Sequence, residues 1–211
     1  MAGSILGASV KRVEDPRFVT GRGTYLPDMH FPGELWMAVV RSTVPHGVVT
    51  SIDTEAGAEM PGVVGIFTAA DFEGMTMPIE FTGHPEPMQR PLIPADRIRF
   101  VGDIVAVVVA ETAAQAAYAA DMVWPEYDEL PVLVDPKAAD QPDAPLLFPE
   151  HGSNLVKSHR LESSSNDPGT DEVVITATIR HQRLAAIPLE TNSAVSVPRE
   201  DGGVDVWAGS Q

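Results

Sequence analysis

Residues 98–134, IRFVGDIVAVVVAETAAQAAYAADMVWPEYDELPVLV, decide the fold of this chain. Within this stretch, the run from Ile104 to Ala110 is uninterrupted by polar residues and rich in β-branched side chains. Its length suits a strand and is too short to span a membrane. Because an unbroken apolar run must be covered on both faces, the sequence predicts a central strand here.

An alanine-rich segment follows and predicts a helix from Ala113 to Met122. Thr112 is a suitable N-cap, and alanine has the highest helix propensity of all residues. Small side chains on one face would let this helix lie close to the sheet. The face expected to pack there consists of Ala113, Ala116, Ala117 and Ala120.

A further strand is predicted to resume at residues 123–124, with Pro125 placing it near a sheet edge. Residues 128–129 then form a turn into a last strand at 130–134, which would complete a hairpin. The segment is therefore interpreted as a strand, a helix, a strand and a hairpin.

More sheet is expected upstream, with strands at residues 33–41, 48–52 and 63–67 and a short helix from Asp53 to Met60. Five prolines between residues 74 and 97 predict a long loop, and such loops are usually functional or disordered. Since strands and helices do not alternate regularly, the predicted fold class is α+β.

The last part of the chain shows a different pattern. Alternating residues at 171–182 predict a half-buried strand, and residues 191–197 and 204–207 predict a hairpin that turns at Gly202-Gly203. These strands are interpreted as the beginning of a sheet whose remaining strands are not found in the sequence. The chain thus divides into an N-terminal arm without periodicity, an α+β domain and an incomplete second domain, at residues 1–32, 33–155 and 156–211.

Composition limits the classes of function. The formal net charge of −16 over 211 residues argues against nucleic acid as a partner, because phosphate binding needs basic surfaces. The absence of cysteine excludes disulfides, a thiolate nucleophile and cysteine-bound iron or zinc. No signal peptide or transmembrane span is recognised, so a cytoplasmic location is the default expectation.

Sequence motifs for catalysis are sparse. The six histidines show no i, i+4 pair and no HExxH, so a metal held by protein ligands is not predicted. His46 lies in a turn, where packing is favoured over catalysis. Glu190 is the one acid in the run LAAIPLETNSAVSV, and a carboxylate there needs hydrogen bonds. It is either a supporting group at a site or an acceptor for backbone N–H groups.

Several stretches, in this order, resemble one family. They are RVEDPRFVTGRGTYLPD at 12–28, RSTVPHGVV at 41–49, PGVVGIFTAAD at 61–71, RFVGDIVAVVVAET at 99–112 and EYDELPVLVD at 126–135. Together they resemble the N-terminal part of the molybdenum-binding large subunit of the xanthine dehydrogenase and aldehyde oxidase family, and the carbon monoxide dehydrogenase large subunit in particular. The resemblance implies an α/β hammerhead domain followed by the start of a molybdopterin-binding domain. PLET at 188–191 and WAGSQ at 207–211 look like the opening of that second domain.

The resemblance also implies chemistry. Molybdenum would be held by the dithiolene of molybdopterin, and a small substrate such as an aldehyde, an aromatic heterocycle or carbon monoxide would be oxidised with water-derived oxygen. Electrons would pass to Fe–S clusters and FAD in partner subunits. Gln211 matches the glutamine that approaches the cofactor in the family, and Glu190 could support it.

The family's catalytic glutamate lies far downstream of the positions matched here, so no catalytic residue is assigned to this chain. We therefore expect the isolated chain to be inactive without a continuation polypeptide, whether it is a truncated piece or half of a split subunit. The alternative interpretation is a stand-alone hammerhead scaffold or binding module without catalysis. The missing nucleophile, metal ligands and paired site carboxylates favour the alternative, whereas the unfinished sheet after Asp171 favours the first interpretation.

Overall fold

The structure is a computed structural model that describes residues 9–78, 83–159, 175–182, 184–188 and 191–209. It divides into two compact units, one formed by Glu34–Pro168 and the other by Met1–Gly33 together with Gly169–Gln211. Helices and strands are both present, and the predicted α+β class is confirmed. Gln211 and Glu190, the two predicted cofactor-binding residues, lie outside the described residues.

The helices and strands are numbered in chain order. The strands are β1 Trp36–Arg41, β2 Gly47–Asp53, β3 Val63–Phe67, β4 Arg97–Ile98, β5 Ile104–Ala110, β6 Trp124–Glu129, β7 Ala194–Pro198 and β8 Val204–Ala208. The α-helices are α1 Asp15–Val19, α2 Glu55–Ala58, α3 Ala113–Asp121 and α4 Pro136–Ala139. No described helix has both the length and the apolarity that a membrane crossing requires.

The larger unit contains two three-stranded antiparallel sheets, with strand orders β1-β5-β3 and β4-β2-β6. β5 lies in the middle of the first sheet, and Val105, Ala106 and Val108 have no exposed surface. The prediction of a central strand covered on both faces is therefore confirmed. These residues form one apolar core with Val40 and Ile98.

Helix α3 packs on β1 and β5. It begins as predicted, because Thr112 Oγ1 accepts a hydrogen bond from the backbone N–H of Gln115. The predicted packing face was partly wrong. Ala116 and Ala119 are buried, whereas Ala113 and Ala117 are exposed. The stripe that faces the sheet continues at Val123, which matches the i, i+3 and i+7 spacing of one helix face. The prediction started the packing face at Ala113, so it included Ala117, which points away from the sheet, and omitted Ala119.

Strand β6 is an edge strand containing Pro125, as predicted, but it joins the second sheet by pairing with β2. The two strands that flank α3 therefore lie in different sheets. The predicted hairpin after β6 is wrong, because residues 130–134 form no strand. Pro131 cannot donate to a ladder, and this segment instead bonds to the start of β2 through His46.

The proline-rich segment at residues 74–97 is a packed loop in its described part. Thr76 and Pro91 form an isolated bridge, and the side chains of Met88 and Ile93 are each 4% exposed. Apart from a short 3₁₀ turn at Glu86–Met88 and the start of β4, residues 74–78 and 83–97 have no helix or strand. Its apolar side chains thus contribute to the core of the larger unit.

The smaller unit is built on the β7–β8 hairpin, which turns at Gly202 with a φ of +83°. Phe31 from the N-terminal arm stacks on Trp207 of β8, with ring centroids 5.3 Å apart. The strand predicted at 171–182 is not formed in its described part, 175–182. The alternating pattern supplies an apolar face, but a strand also requires a neighbour to pair with, and none pairs there among the described residues.

Candidate functional site

The β7–β8 hairpin brings the chain to the residues directly before Gln211. The Gly209 amide donates to the carbonyl oxygen of Ser193 at 2.9 Å, which fixes the end of the hairpin beside the start of β7. The hydroxyl oxygen of Ser193 is buried and has no hydrogen-bond partner in the described part of the chain. A buried hydroxyl without a partner is destabilising, so this atom is available to a ligand or to a further chain segment.

These features are compatible with a molybdopterin-held metal. Such a cofactor carries its own sulfur ligands, so the protein needs to supply neutral donors rather than a cluster of ligating side chains. Among the described residues, no group of three His, Asp or Glu side chains could hold a metal ion. At the hairpin end the Ser193 hydroxyl is such a neutral donor, whereas the Gly209 N–H already donates to the Ser193 carbonyl oxygen.

In the larger unit, His46 lies at the turn into β2 and is 3% exposed. Its Nδ1 donates to the carbonyl oxygen of Pro131 at 2.8 Å, and the Arg97 guanidinium approaches its Nε2 at 3.4 Å. Since the Pro131 carbonyl can only accept, the hydrogen must be on Nδ1 and Nε2 must accept from Arg97. Both ring nitrogens are therefore occupied, which agrees with a packing role and leaves neither free for catalysis.

Asp103 is the buried carboxylate of this unit, at 8% exposure. It accepts a hydrogen bond from the Arg99 amide at 3.3 Å. Burial raises the pKa of Asp103, and the Arg99 amide together with the charges of Arg90 and Arg99 opposes that shift. The main chain here is also fixed to Ser42, whose amide donates to the Asp103 carbonyl oxygen at 2.8 Å.

Arg99 connects this region to the segment after α4. Its guanidinium carbon lies 4.3 Å from the centroid of the Phe148 ring, and its Nε donates to the carbonyl oxygen of Leu147 at 3.1 Å. Burial is the main cause that lowers the pKa of Arg99. Asn154 closes the same segment by accepting from the Leu147 amide and donating to the carbonyl oxygens of Ala139 and Pro145. These contacts fold residues 136–154 together and hold them against Arg99 within the larger unit.

Tyr127 carries a second unsatisfied hydroxyl. Its oxygen is buried without a hydrogen-bond partner in the described part of the chain, and burial raises the pKa of the phenol. Ser42 is close enough to oppose this rise, but its hydroxyl donates to the Val44 carbonyl at 2.9 Å instead of reaching Tyr127 in bonding geometry. Within the described part of the chain, the hydrogen-bond partner of the Ser42 hydroxyl is the Val44 backbone, and no basic side chain bonds to it.

Sequence reasoning missed Ser193 and Tyr127. Tyr127 lies within the EYDELPVLVD motif but was given no role there, and Ser193 lies outside the quoted motifs. The PLETNSAV stretch drew attention to Glu190, three positions before Ser193, and it was the only sequence signal near Ser193.

Comparison with known proteins defines the class to which this chain belongs. The family model for the aldehyde oxidase and xanthine dehydrogenase a/b hammerhead domain matches residues 20–131. This chain belongs to that family.

Particular relatives extend the similarity beyond the hammerhead region. The chain is 37% identical to the nicotine 6-hydroxylase large subunit of Paenarthrobacter nicotinovorans, over 92% of this chain and 24% of the relative. It is 34% identical to the carbon monoxide dehydrogenase large chain of Afipia carboxidovorans, over 96% of this chain and 27% of the relative. The solved structure of reconstituted CO dehydrogenase from Oligotropha carboxidovorans matches with a TM-score of 0.61 and 40% identity, over 66% of this chain and 17% of that chain.

The chain thus spans about a quarter of the length of the curated relatives it matches. It is homologous to a portion of molybdenum hydroxylase large subunits, which include xanthine dehydrogenase subunits and aldehyde oxidases.

Proposed function

We propose that this chain is the N-terminal portion of a molybdenum hydroxylase large subunit and that it works with the rest of that subunit. The observation that carries the proposal is similarity over more than nine-tenths of this chain to large subunits about four times as long. Residues 33–155 would form the α/β hammerhead domain and residues 156–211 the start of the molybdopterin-binding domain.

Gln211 is the proposed cofactor-binding residue of this chain. A neutral amide can donate a hydrogen bond to an oxygen of the metal centre without adding charge beside it. The β7–β8 hairpin supports this role by holding Gly209, two positions earlier, through its bond to Ser193. Glu190 would lie in the supporting shell. When bound, molybdopterin would supply the redox chemistry, while these residues would bind and orient it.

The oxidised substrate is proposed to be a small molecule. The relatives' names include nicotine, carbon monoxide and xanthine, so an aromatic heterocycle, an aldehyde or carbon monoxide all fit this class. Water would supply the oxygen, and two electrons would leave the substrate. Fe–S and FAD partner subunits are proposed to receive these electrons, in a cytoplasmic complex.

Purification from the native host tests this proposal. A tag on this chain should recover the remaining part of the large subunit, together with polypeptides whose absorption spectrum shows flavin and iron–sulfur clusters. The complex should contain molybdenum and oxidise at least one member of a panel containing carbon monoxide, aldehydes and heteroaromatic compounds. Recovery of this chain alone, without molybdenum, would instead support a stand-alone hammerhead module.

A further inference from the structure

β1 is an edge strand with an open side. It pairs with β5 on one side along its whole length, from Trp36↔Ala110 to Arg41↔Ile104. On its other side, no strand pairs with it in the described part of the chain. Alternate residues of β1 therefore direct backbone N–H and C=O groups away from the sheet without a partner strand.

The sequence of β1 does not protect this edge. Natural edge strands usually carry a proline, a lysine or an inward charge, whereas WMAVVR has a single charged residue, at its end. Trp36 and Met37 are 39% and 67% exposed. By contrast β6, one edge of the other sheet, contains Pro125 and three carboxylates. β3, the second edge of the first sheet, also lacks proline and charge, but its residues do not line the groove beside β1.

A groove lies beside the C-terminal half of β1. The groove has a volume of about 300 Å³. One wall comes from the end of β1 and the residues after it, and it contains Val39, Val40, Arg41 and Thr43. The opposite wall runs from the end of α3 into β6 and contains Ala120, Asp121, Val123, Trp124 and Pro125. The Trp124 side chain is 69% exposed on that wall. A groove between a free strand edge and an exposed aromatic ring suits one extended polypeptide, because added strands lie about 4.8 Å from the edge they join.

We infer that the β1 edge binds an extended segment from the rest of the large subunit, which adds to the sheet as a fourth strand next to β1. This inference rests on the proposed function. In the relatives, about three-quarters of the polypeptide lies outside the portion that this chain matches. Backbone hydrogen bonds would supply affinity, and the apolar wall residues Val40, Ala120 and Val123 would accept an apolar side chain.

The walls of the groove favour a single strand over a second copy of this chain. Edge-to-edge pairing of two copies would bring a whole sheet to β1, whereas the groove between the C-terminal half of β1 and Trp124 has a volume of only about 300 Å³. The exposed Arg41 at the end of β1 also attracts a carboxylate on the incoming segment.

Hydrogen exchange tests this inference on the isolated chain and on its complex with the rest of the subunit. In the isolated chain, the outward-facing amides among residues 36–41 should exchange rapidly while the β5 amides stay protected. In the complex, those β1 amides should slow by about tenfold or more because they become hydrogen bonded in a strand. Unchanged exchange of β1 in a complex that contains the cofactor would overturn the inference and leave the proposed function intact.

A matched pair of variants makes the test specific. Trp124→Ala should weaken assembly with the rest of the subunit about tenfold or more, because aromatic residues in grooves dominate binding. Tyr118→Ala removes another aromatic side chain, 65% exposed on α3 and not part of the groove lining, and should leave assembly unchanged. Equal effects of the two variants would contradict the inference. Protection of β1 that appears only as the isolated chain dimerises would assign the edge to a second copy and would also overturn it.

Discussion

His46 and Pro131 are 85 positions apart, yet the Nδ1 atom of His46 donates to the Pro131 carbonyl oxygen at 2.8 Å. Beside this bond, the Leu130 amide donates to the His46 carbonyl oxygen at 2.9 Å. Together the two bonds fasten the segment after β6 to the start of β2. They extend the contact between these strands beyond the last paired residues, Gly47 and Glu129.

Replacing His46 should therefore destabilise the larger unit. His46→Ala removes a buried donor, leaves the Pro131 carbonyl unsatisfied and creates a cavity, so we expect a loss of roughly 2–3 kcal/mol in the free energy of unfolding. Urea denaturation followed by circular dichroism measures it. His159→Ala, at an exposed position, is the control and should change stability little. Equal stability of both variants would mean that the His46 contacts contribute nothing.

Helix α3 offers a comparison between adjacent alanines. Ala116 is 1% exposed against the sheet, whereas Ala117 is exposed. Ala116→Asp should cost about 3 kcal/mol or more, because it places a carboxylate in the apolar contact. Ala117→Asp should cost less than about 1 kcal/mol, mainly from lower helix propensity. Thermal unfolding of both variants checks the prediction, and the reverse order would show that the helix face is assigned incorrectly.

The Arg99–Phe148 contact predicts that lysine cannot replace this arginine. Lysine keeps the charge but loses the planar group that lies over the ring and donates to the Leu147 and Arg97 carbonyl oxygens. We expect Arg99→Lys to lower the free energy of unfolding by about 1–2 kcal/mol.

A double-mutant cycle with Phe148→Leu separates the ring contact from the hydrogen bonds. The stacked pair should give a coupling energy of about 0.5–1 kcal/mol in urea denaturation. Strictly additive effects of the two substitutions would show that the ring and the guanidinium do not interact in solution.

Asp103 predicts a particular dependence of stability on pH. Its pKa in the folded protein lies above the ordinary value of 3.8, mainly because of burial. The folded state therefore binds this proton more tightly than the unfolded state, so the contribution of Asp103 to stability declines as pH rises from 3.8 to its folded pKa. Asp103→Asn keeps an acceptor for the Arg99 amide and cannot titrate. The stability of this variant relative to the parent should thus increase as pH rises through that interval.

Urea denaturation at several pH values from about 4 to 7 measures that difference. Asp128→Asn removes one negative charge at an exposed position of β6 and serves as the control for net charge. If the free energy of unfolding of Asp103→Asn, minus that of the parent, fell as pH rises, the direction of the pKa shift would be contradicted.

Local elements of this fold could be predicted because short runs of sequence specify them. The β-branched residues of β5 and the alanines of α3 each favour one conformation, and their bounds agree with the structure to within one residue. Their partners could not be predicted in the same way. β5 and β6 flank one helix yet join different sheets, since pairing depends on residues distant in the chain, such as Met37 with Val109.

The sequence pattern also did not predict correctly which face of α3 packs on the sheet. Nearly every residue of this helix is small, so composition does not distinguish Ala116 from Ala117, and only contact with β1 and β5 selects one. The same limit applies to the candidate site. Resemblance predicted Gln211 as a cofactor-binding residue, whereas the buried hydroxyl of Ser193 is visible only in the folded hairpin.

The central claim is that this chain shares a molybdenum cofactor with the rest of a large subunit. Its most direct test is the amount of molybdenum and pterin per chain, in the chain produced alone and in the chain produced with the remaining part of the subunit. We predict negligible cofactor in the first preparation and stoichiometric cofactor in the second, with activity reduced by Gln211→Ala. Stoichiometric molybdenum and pterin on the chain alone would contradict the claim.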